Sequence, residues 1–187
     1  MTATLSGRQY GLLHLLGRDR VGILQDAAAF VSERGGTTEE GISHTLGTEA
    51  VVLLYVSGLA EQLDRIEQDT AKLGQRLNLL SLFTRIRDGS KAIDRDALPL
   101  TLRISSPDFA GLLATITTFF ADHHLRIIAH HTQRTPLPYG KDSSTHRHRF
   151  TVLLPPEFNR KKFLAELDEL AAGKGLMRDE ISHSDFY

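Results

Sequence analysis

Two segments of this chain, 89 positions apart, carry one pattern and limit most of what it can fold into. Gly17, Arg18, Asp19, Arg20, Val21, Gly22, Ile23 and Leu24 are matched by Ser106, Pro107, Asp108, Phe109, Ala110, Gly111, Leu112 and Leu113. Each segment joins an apolar, strand-like run to an amphipathic helix, so the chain reads as one small unit written twice. A glycine-containing loop that opens onto a helix presents free backbone N–H groups and the positive end of the helix dipole, which suit a small anion or carboxylate. The candidate ligand-binding residues are therefore Gly17 to Leu24 in the first copy and Asp108, Phe109, Ala110, Gly111 and Leu112 in the second.

The register of the repeat holds beyond the loops. Ile23, Leu24, Ala27, Phe30 and Val31 fall on Leu112, Leu113, Ile116, Phe119 and Phe120, all apolar and spaced as one helix face. This register predicts Phe30 and Phe119 as core residues at equivalent depth. In the preceding strand Gly11, Leu13 and Leu15 fall on Leu100, Leu102 and Ile104, which alternate with Pro99, Thr101 and Arg103 as a half-buried strand requires. Gly35-Gly36 ends the first helix. Strands are predicted over 37–46 and 49–57, with a turn at Gly47, then a helix over 59–76 and a strand over 78–87. The second copy repeats the order, with strands over 125–133 and 149–154, an Asn159 N-cap for the helix carrying Phe163, Leu167 and Leu170, and a final strand over 176–182. A connection spanning Thr135 to His146 separates its two middle strands.

Each copy is thus β-α-β-β-α-β. The fold class is α+β, two tandem ferredoxin-like units whose antiparallel sheets carry their helices on one face. The expected boundaries are 8–87 for the first unit, 88–97 for a polar linker and 98–183 for the second unit.

With its loops and element order in view, the chain resembles the ACT domains, small regulatory modules with a Gly-x-Asp-x-Pro-Gly signature at this loop. Two copies filling the chain, with Phe120-Ala121-Asp122-His123-His124-Leu125-Arg126-Ile127 entering the second copy's next strand, are similar to the glycine cleavage system transcriptional repressor family. Val21 stands where that signature has proline, and Ser106 and Pro107 replace Gly17 and Arg18, so the two loops are not equivalent. The resemblance implies a non-catalytic regulator that senses a small amino acid, glycine in that family. It also implies control of transcription through a protein partner, there a DNA-binding activator. A regulatory or interaction subunit of an amino-acid metabolic enzyme is the alternative.

Composition narrows the other classes. A net charge of −1 argues against a broad nucleic-acid footprint. An RNA-binding module of the same topology stacks bases on central-strand aromatics, and here only Tyr10 and Tyr55 are on offer, without the basic-glycine-aromatic pattern. With no cysteine, thiolate chemistry and disulfides are excluded. No Walker loop, Gly-x-Ser-x-Gly or dinucleotide fingerprint is present, so no enzyme activity and no cofactor are expected. Asp19 and Asp108 precede helix starts and are expected to cap them. His146 and His148, two apart, share a strand face, whereas His130 and His131 point to opposite faces. The histidines are expected on solvated edges rather than around a metal. No apolar run approaches the roughly 20 residues that span a bilayer, and Tyr10 to Leu16 makes a poor signal peptide. The expected setting is the cytoplasm, without membrane contact, and a homodimer is compatible with such a module.

Overall fold

A computed structural model of the chain describes residues 7–86, 97–107, 110–136 and 144–181. The chain divides into two compact units, 1–92 and 93–187. Apart from Ala97, the expected linker 88–97 lies outside the described residues, as do Asp108 and Phe109 of the second loop.

The first unit runs β1 (Gln9–Arg18), α1 (Ile23–Glu33), β2 (Thr37–Leu46), β3 (Glu49–Gly58), α2 (Ala60–Leu77) and β4 (Leu80–Ile86). The second runs β5 (Leu98–Pro107), α3 (Leu112–Asp122), β6 (Arg126–Pro136), β7 (Ser144–Leu154), α4 (Arg160–Lys174) and β8 (Met177–Ile181). The strand orders are β2-β3-β1-β4 and β6-β7-β5-β8, and every neighbouring pair is antiparallel.

The period of two along each strand decides which face is covered. Leu13 lies opposite Leu54 and Leu15 opposite Val52, all buried on one face of the first sheet. Ile23, Ala27, Phe30 and Val31 of α1 and Leu63, Ile66 and Leu73 of α2 complete the same cluster, so both helices cover that face. The second unit repeats this with Leu100, Leu102 and Ile104 against Phe150 and Val152, under Ile116 and Phe120 of α3 and Phe163 and Leu167 of α4. Gly11 breaks the apolar series in β1 because a Cβ there would fall on the Phe83 ring, a space that Leu100 fills in the second copy.

Local chemistry ends the helices where expected. Gln62 accepts the Leu59 N–H at 2.7 Å at the start of α2, and Asn159 Oδ1 accepts the Lys162 N–H at 3.0 Å at the start of α4. Asn78 and His124 take left-handed φ of 55° after α2 and α3.

The structure corrects three expectations. Leu24 and Leu113 remain 47% and 43% exposed, because a helix flanking a four-stranded sheet buries a narrower stripe than the five matched positions. Phe119 is only half-buried whereas Phe30 is 2% exposed; the deep aromatic of the second unit is Phe120, which packs edge-on to Phe150 at 5.2 Å. The β6–β7 connection is shorter than read, since β6 continues to Pro136 and β7 begins at Ser144; 137–143 lies outside the described residues.

The repeat also places one inter-helix bridge twice. Arg34 lies over the Phe30 ring at 3.9 Å and meets Asp69 of α2 at 3.1 Å. Eighty-nine positions on, His123 lies 4.3 Å from the Phe119 ring and meets Glu166 of α4 at 2.7 Å. No helix among the described residues is long and apolar enough to cross a membrane.

Candidate functional site at the start of the third helix

The two loops share a backbone and differ in their surroundings. Gly22 and Gly111 are the N-cap residues of α1 and α3, with φ of 91° and 83°, and as glycines offer no side-chain cap. A Cβ would meet only Arg20 at 3.8 Å at Gly22, and nothing within 4 Å at Gly111. The left-handed backbone, not close packing, is therefore what requires glycine at both places. Among the described residues, the first N–H groups of both helices have no intrahelical or side-chain acceptor.

In the first loop the polar side chains serve the loop itself. Asp19 does not cap α1; its Oδ2 accepts from Thr45 Oγ1 at 3.0 Å and its N–H donates to Thr48 at 2.8 Å, tying the loop to the β2–β3 turn. Arg20 folds back on Asp26 at 2.6 Å and onto its neighbour's carbonyl at 3.1 Å. Arg18 ends β1 opposite Glu49, Val21 is 98% exposed, and Ile23 is in the core. Gly17 lines a separate recess of roughly 670 Å³ with Gly74, Gln75 and Asn78, whose walls do not include Asp19 to Leu24. The eight residues are thus not gathered around one cavity.

In the second unit the helix end opens into one. A cavity of roughly 470 Å³ is lined by Gly111, Leu112, Leu113 and Ala114 on one side and by His130, Thr132, His146 and His148 on the other. Ala110 is exposed beside it. Register explains the histidines: Thr132 lies opposite His148 and His130 opposite Phe150, on the face that carries the core. Thr132 Oγ1 contacts His130 Nε2 at 2.8 Å and His148 Nδ1 at 2.9 Å, and a hydroxyl can donate to one ring while accepting from the other. His148 is only 3% exposed, and its Nε2, like the Oγ of neighbouring Ser106, has no hydrogen-bond partner among the described residues. The rings form a ladder, His146 to His148 at 6.1 Å and His148 to Phe150 at 5.9 Å, both near-parallel. A ladder does not converge on a point, and no group of three metal-ligating residues occurs among the described residues.

Burial sets the electrostatics. Removal from water pushes His148 below its ordinary value of 6.5, helped by the neighbouring His130 and His146. Partial removal from water does the same for His130, which stays exposed on one side, with His131 adding to it. Both rings are held neutral; with His148 Nδ1–H donating to Thr132 and Thr132 donating to His130 Nε2, the free lone pair is that of His148 Nε2. The expectation of solvated histidines is thus overturned for His148. The spacing of His146 and His148 was the available signal. The pairing that brings His130 and Thr132 beside them is not visible in a single strand's pattern.

Comparison with known proteins follows the same lines. No family model matches the chain. Over 126 residues, 66% of its length, it is 29% identical to the glycine cleavage system transcriptional repressors of Escherichia coli (strain K12) and Shigella flexneri. The match spans 64% of the length of those curated relatives. An unknown protein from Galdieria sulphuraria superposes with a TM-score of 0.77 at 20% identity, covering 94% of this chain and 99% of that one. A solved structure provisionally assigned as a glycine cleavage system transcriptional repressor superposes with a TM-score of 0.72 at 19% identity, covering 93% and 96%. At those identities the two structures establish the fold.

Proposed function

We propose, from the premise that this chain is a tandem ACT-domain protein similar to the glycine cleavage system transcriptional repressor, that it is a non-catalytic regulator which binds a small amino acid in the α3 cavity. The observation that carries this reading is the pairing of a helix N-terminus uncapped among the described residues with the neutral, buried imidazole of His148. A zwitterion needs both halves. The free N–H groups at 112–114 and the positive end of the dipole take the carboxylate. The lone pair of His148 Nε2 and the Thr132 hydroxyl oxygen take the ammonium, which a protonated histidine would repel. Glycine, by likeness to the repressor, and serine are the first ligands to try.

The signal passes to a protein partner, by likeness to the repressor a DNA-binding activator, because ligand stabilises whichever arrangement it binds more tightly. The open face of the first sheet supports such a partner. Leu16, Ile42, Leu80 and Leu82 are 44%, 62%, 73% and 58% exposed there, beside half-buried Leu12, Leu53 and Tyr55. An apolar stretch of that kind marks an interaction surface.

The experiment is calorimetry and thermal shift across the standard amino acids at millimolar concentration. Binding raises the melting temperature by mass action, with glycine or serine giving the largest shift. No heat and no shift with any amino acid removes the sensing role and leaves a protein-interaction module.

A further inference from the structure

We propose that the open face of the second sheet is an anion site, separate from the α3 cavity, that takes a small organic ligand with two linked phosphate groups. Antiparallel register builds it as two rows across three strands. One row is His131 on β6, Arg149 on β7 and Arg103 on β5; the next is Gln133, Arg147 and Ser105. The six side chains line one recess of roughly 340 Å³, on the face turned away from α3 and α4.

Three features point to a ligand. Arg103 and Arg149 lie directly opposite each other, and like charges in that position destabilise a sheet. Second, none of Arg103, Arg147 and Arg149 is in an ion pair among the described residues, whereas Arg20, Arg34, Arg85 and Arg178 all are. On the backbone, Asp179 of β8 holds the register position opposite Arg103, whereas the row of Arg147 has no acidic residue at its paired positions among the described residues. Third, the three guanidinium groups gather within a chain whose net charge is −1, so the patch is local and not a reflection of overall composition.

The chemistry of the donors selects the ligand. Guanidinium groups present forks that match phosphate oxygens two at a time, and the Ser105 hydroxyl and Gln133 amide supply further donors. Arg147 and Arg149 are two residues apart on one strand, about 7 Å along it, while Arg103 faces Arg149 across the ladder. That spread suits two adjoining anionic groups better than one. The recess is at the small end of the range for ligand sites, about 300–1,000 Å³. Among the described residues no Phe, Tyr or Trp lines it, so a single-stranded nucleic acid would find charge there without a stacking platform.

The experiment is calorimetry of the whole chain at about 150 mM salt, with sodium pyrophosphate as the probe. Citrate and a single-stranded oligonucleotide are the comparison ligands. Pyrophosphate is expected to bind with a submillimolar Kd, more tightly than citrate. The Arg147→Gln, Arg149→Gln double variant should weaken it at least tenfold without lowering the melting temperature or changing the response to amino acids. No heat at millimolar pyrophosphate, or an unchanged Kd in the double variant, overturns the site. Citrate binding as tightly as pyrophosphate overturns the phosphate assignment, and tighter binding of the oligonucleotide makes this a nucleic-acid surface.

Discussion

Replacing His148 by phenylalanine should stabilise the second unit and abolish its ligand response. The imidazole is 3% exposed and its Nε2 has no partner among the described residues. A buried polar atom in that position costs about 1–3 kcal/mol. Phenylalanine removes that cost, keeps the near-parallel stacking on Phe150 and His130, and sends its extra volume into the cavity that His148 lines. What is lost is the contact between Nδ1 and Thr132 at 2.9 Å, worth about 0.5–1.5 kcal/mol, while Thr132 retains His130 at 2.8 Å. The balance is about 1 kcal/mol in favour of His148→Phe near neutral pH, or a rise of roughly 4–8 °C in the melting temperature of a unit this size. Acid should widen the gap. Burial holds the folded-state value of His148 below 6.5, so as pH falls from there the unfolded chain takes up a proton that the folded chain refuses, and wild-type stability declines. Scanning calorimetry of both proteins at neutral and acid pH, with calorimetric titration of glycine at neutral pH, measures all of this. A variant less stable than wild type by more than about 1 kcal/mol would refute the claim that Nε2 is an unmet group. Undiminished glycine binding would remove the cavity from the ligand site.

Phe120→Ala should cost about 3–5 kcal/mol and Phe119→Ala distinctly less, as chemical denaturation would read; equal costs would put the helix in the wrong register. Gly22→Ala and Gly111→Ala should each cost about 1–2 kcal/mol through the left-handed backbone alone, with Asn better tolerated than Ala at both. The bridge between α3 and α4 should be pH-dependent. Burial alone would lower His123, but the hydrogen bond to Glu166, the Phe119 carbonyl and the nearby acidic charges outweigh it and raise it above 6.5. Its contribution is therefore complete below about pH 6.5 and lost as pH rises through the raised value, while Glu166, held low by His123, keeps its share until acid protonates it. Melting curves from about pH 5 to about pH 9 should show that alkaline decline in the wild type and not in His123→Gln. The first unit, which uses Arg34 in the same place, should lack the decline.

The repeat, the element order and the fold class are legible in the chain alone, because they rest on short-range rules. A period of two places Leu13 and Leu15, or Leu102 and Ile104, on one face, and a period near 3.6 places Ile116 and Phe120 on another. The equivalence of Arg34 and His123 could likewise have been read by extending the register four residues past Phe30. Depth could not: Phe119 and Phe120 are adjacent, and which ring goes under the sheet depends on Phe150 and Phe163 arriving from other elements. The same holds for the loops. Gly22 and Gly111 stand out from the repeat, yet only the fold showed that Thr45 and Asp26 occupy Asp19 and Arg20. The histidine ladder and the arginine rows are the clearest cases. Each is assembled across strands, and cross-strand partners follow from register and pairing order, which no one strand's residues encode. Sequence determines which side of its own strand a residue takes; its neighbours there are decided by tertiary structure, because strand pairing joins positions whose separation along the chain carries no periodic signal.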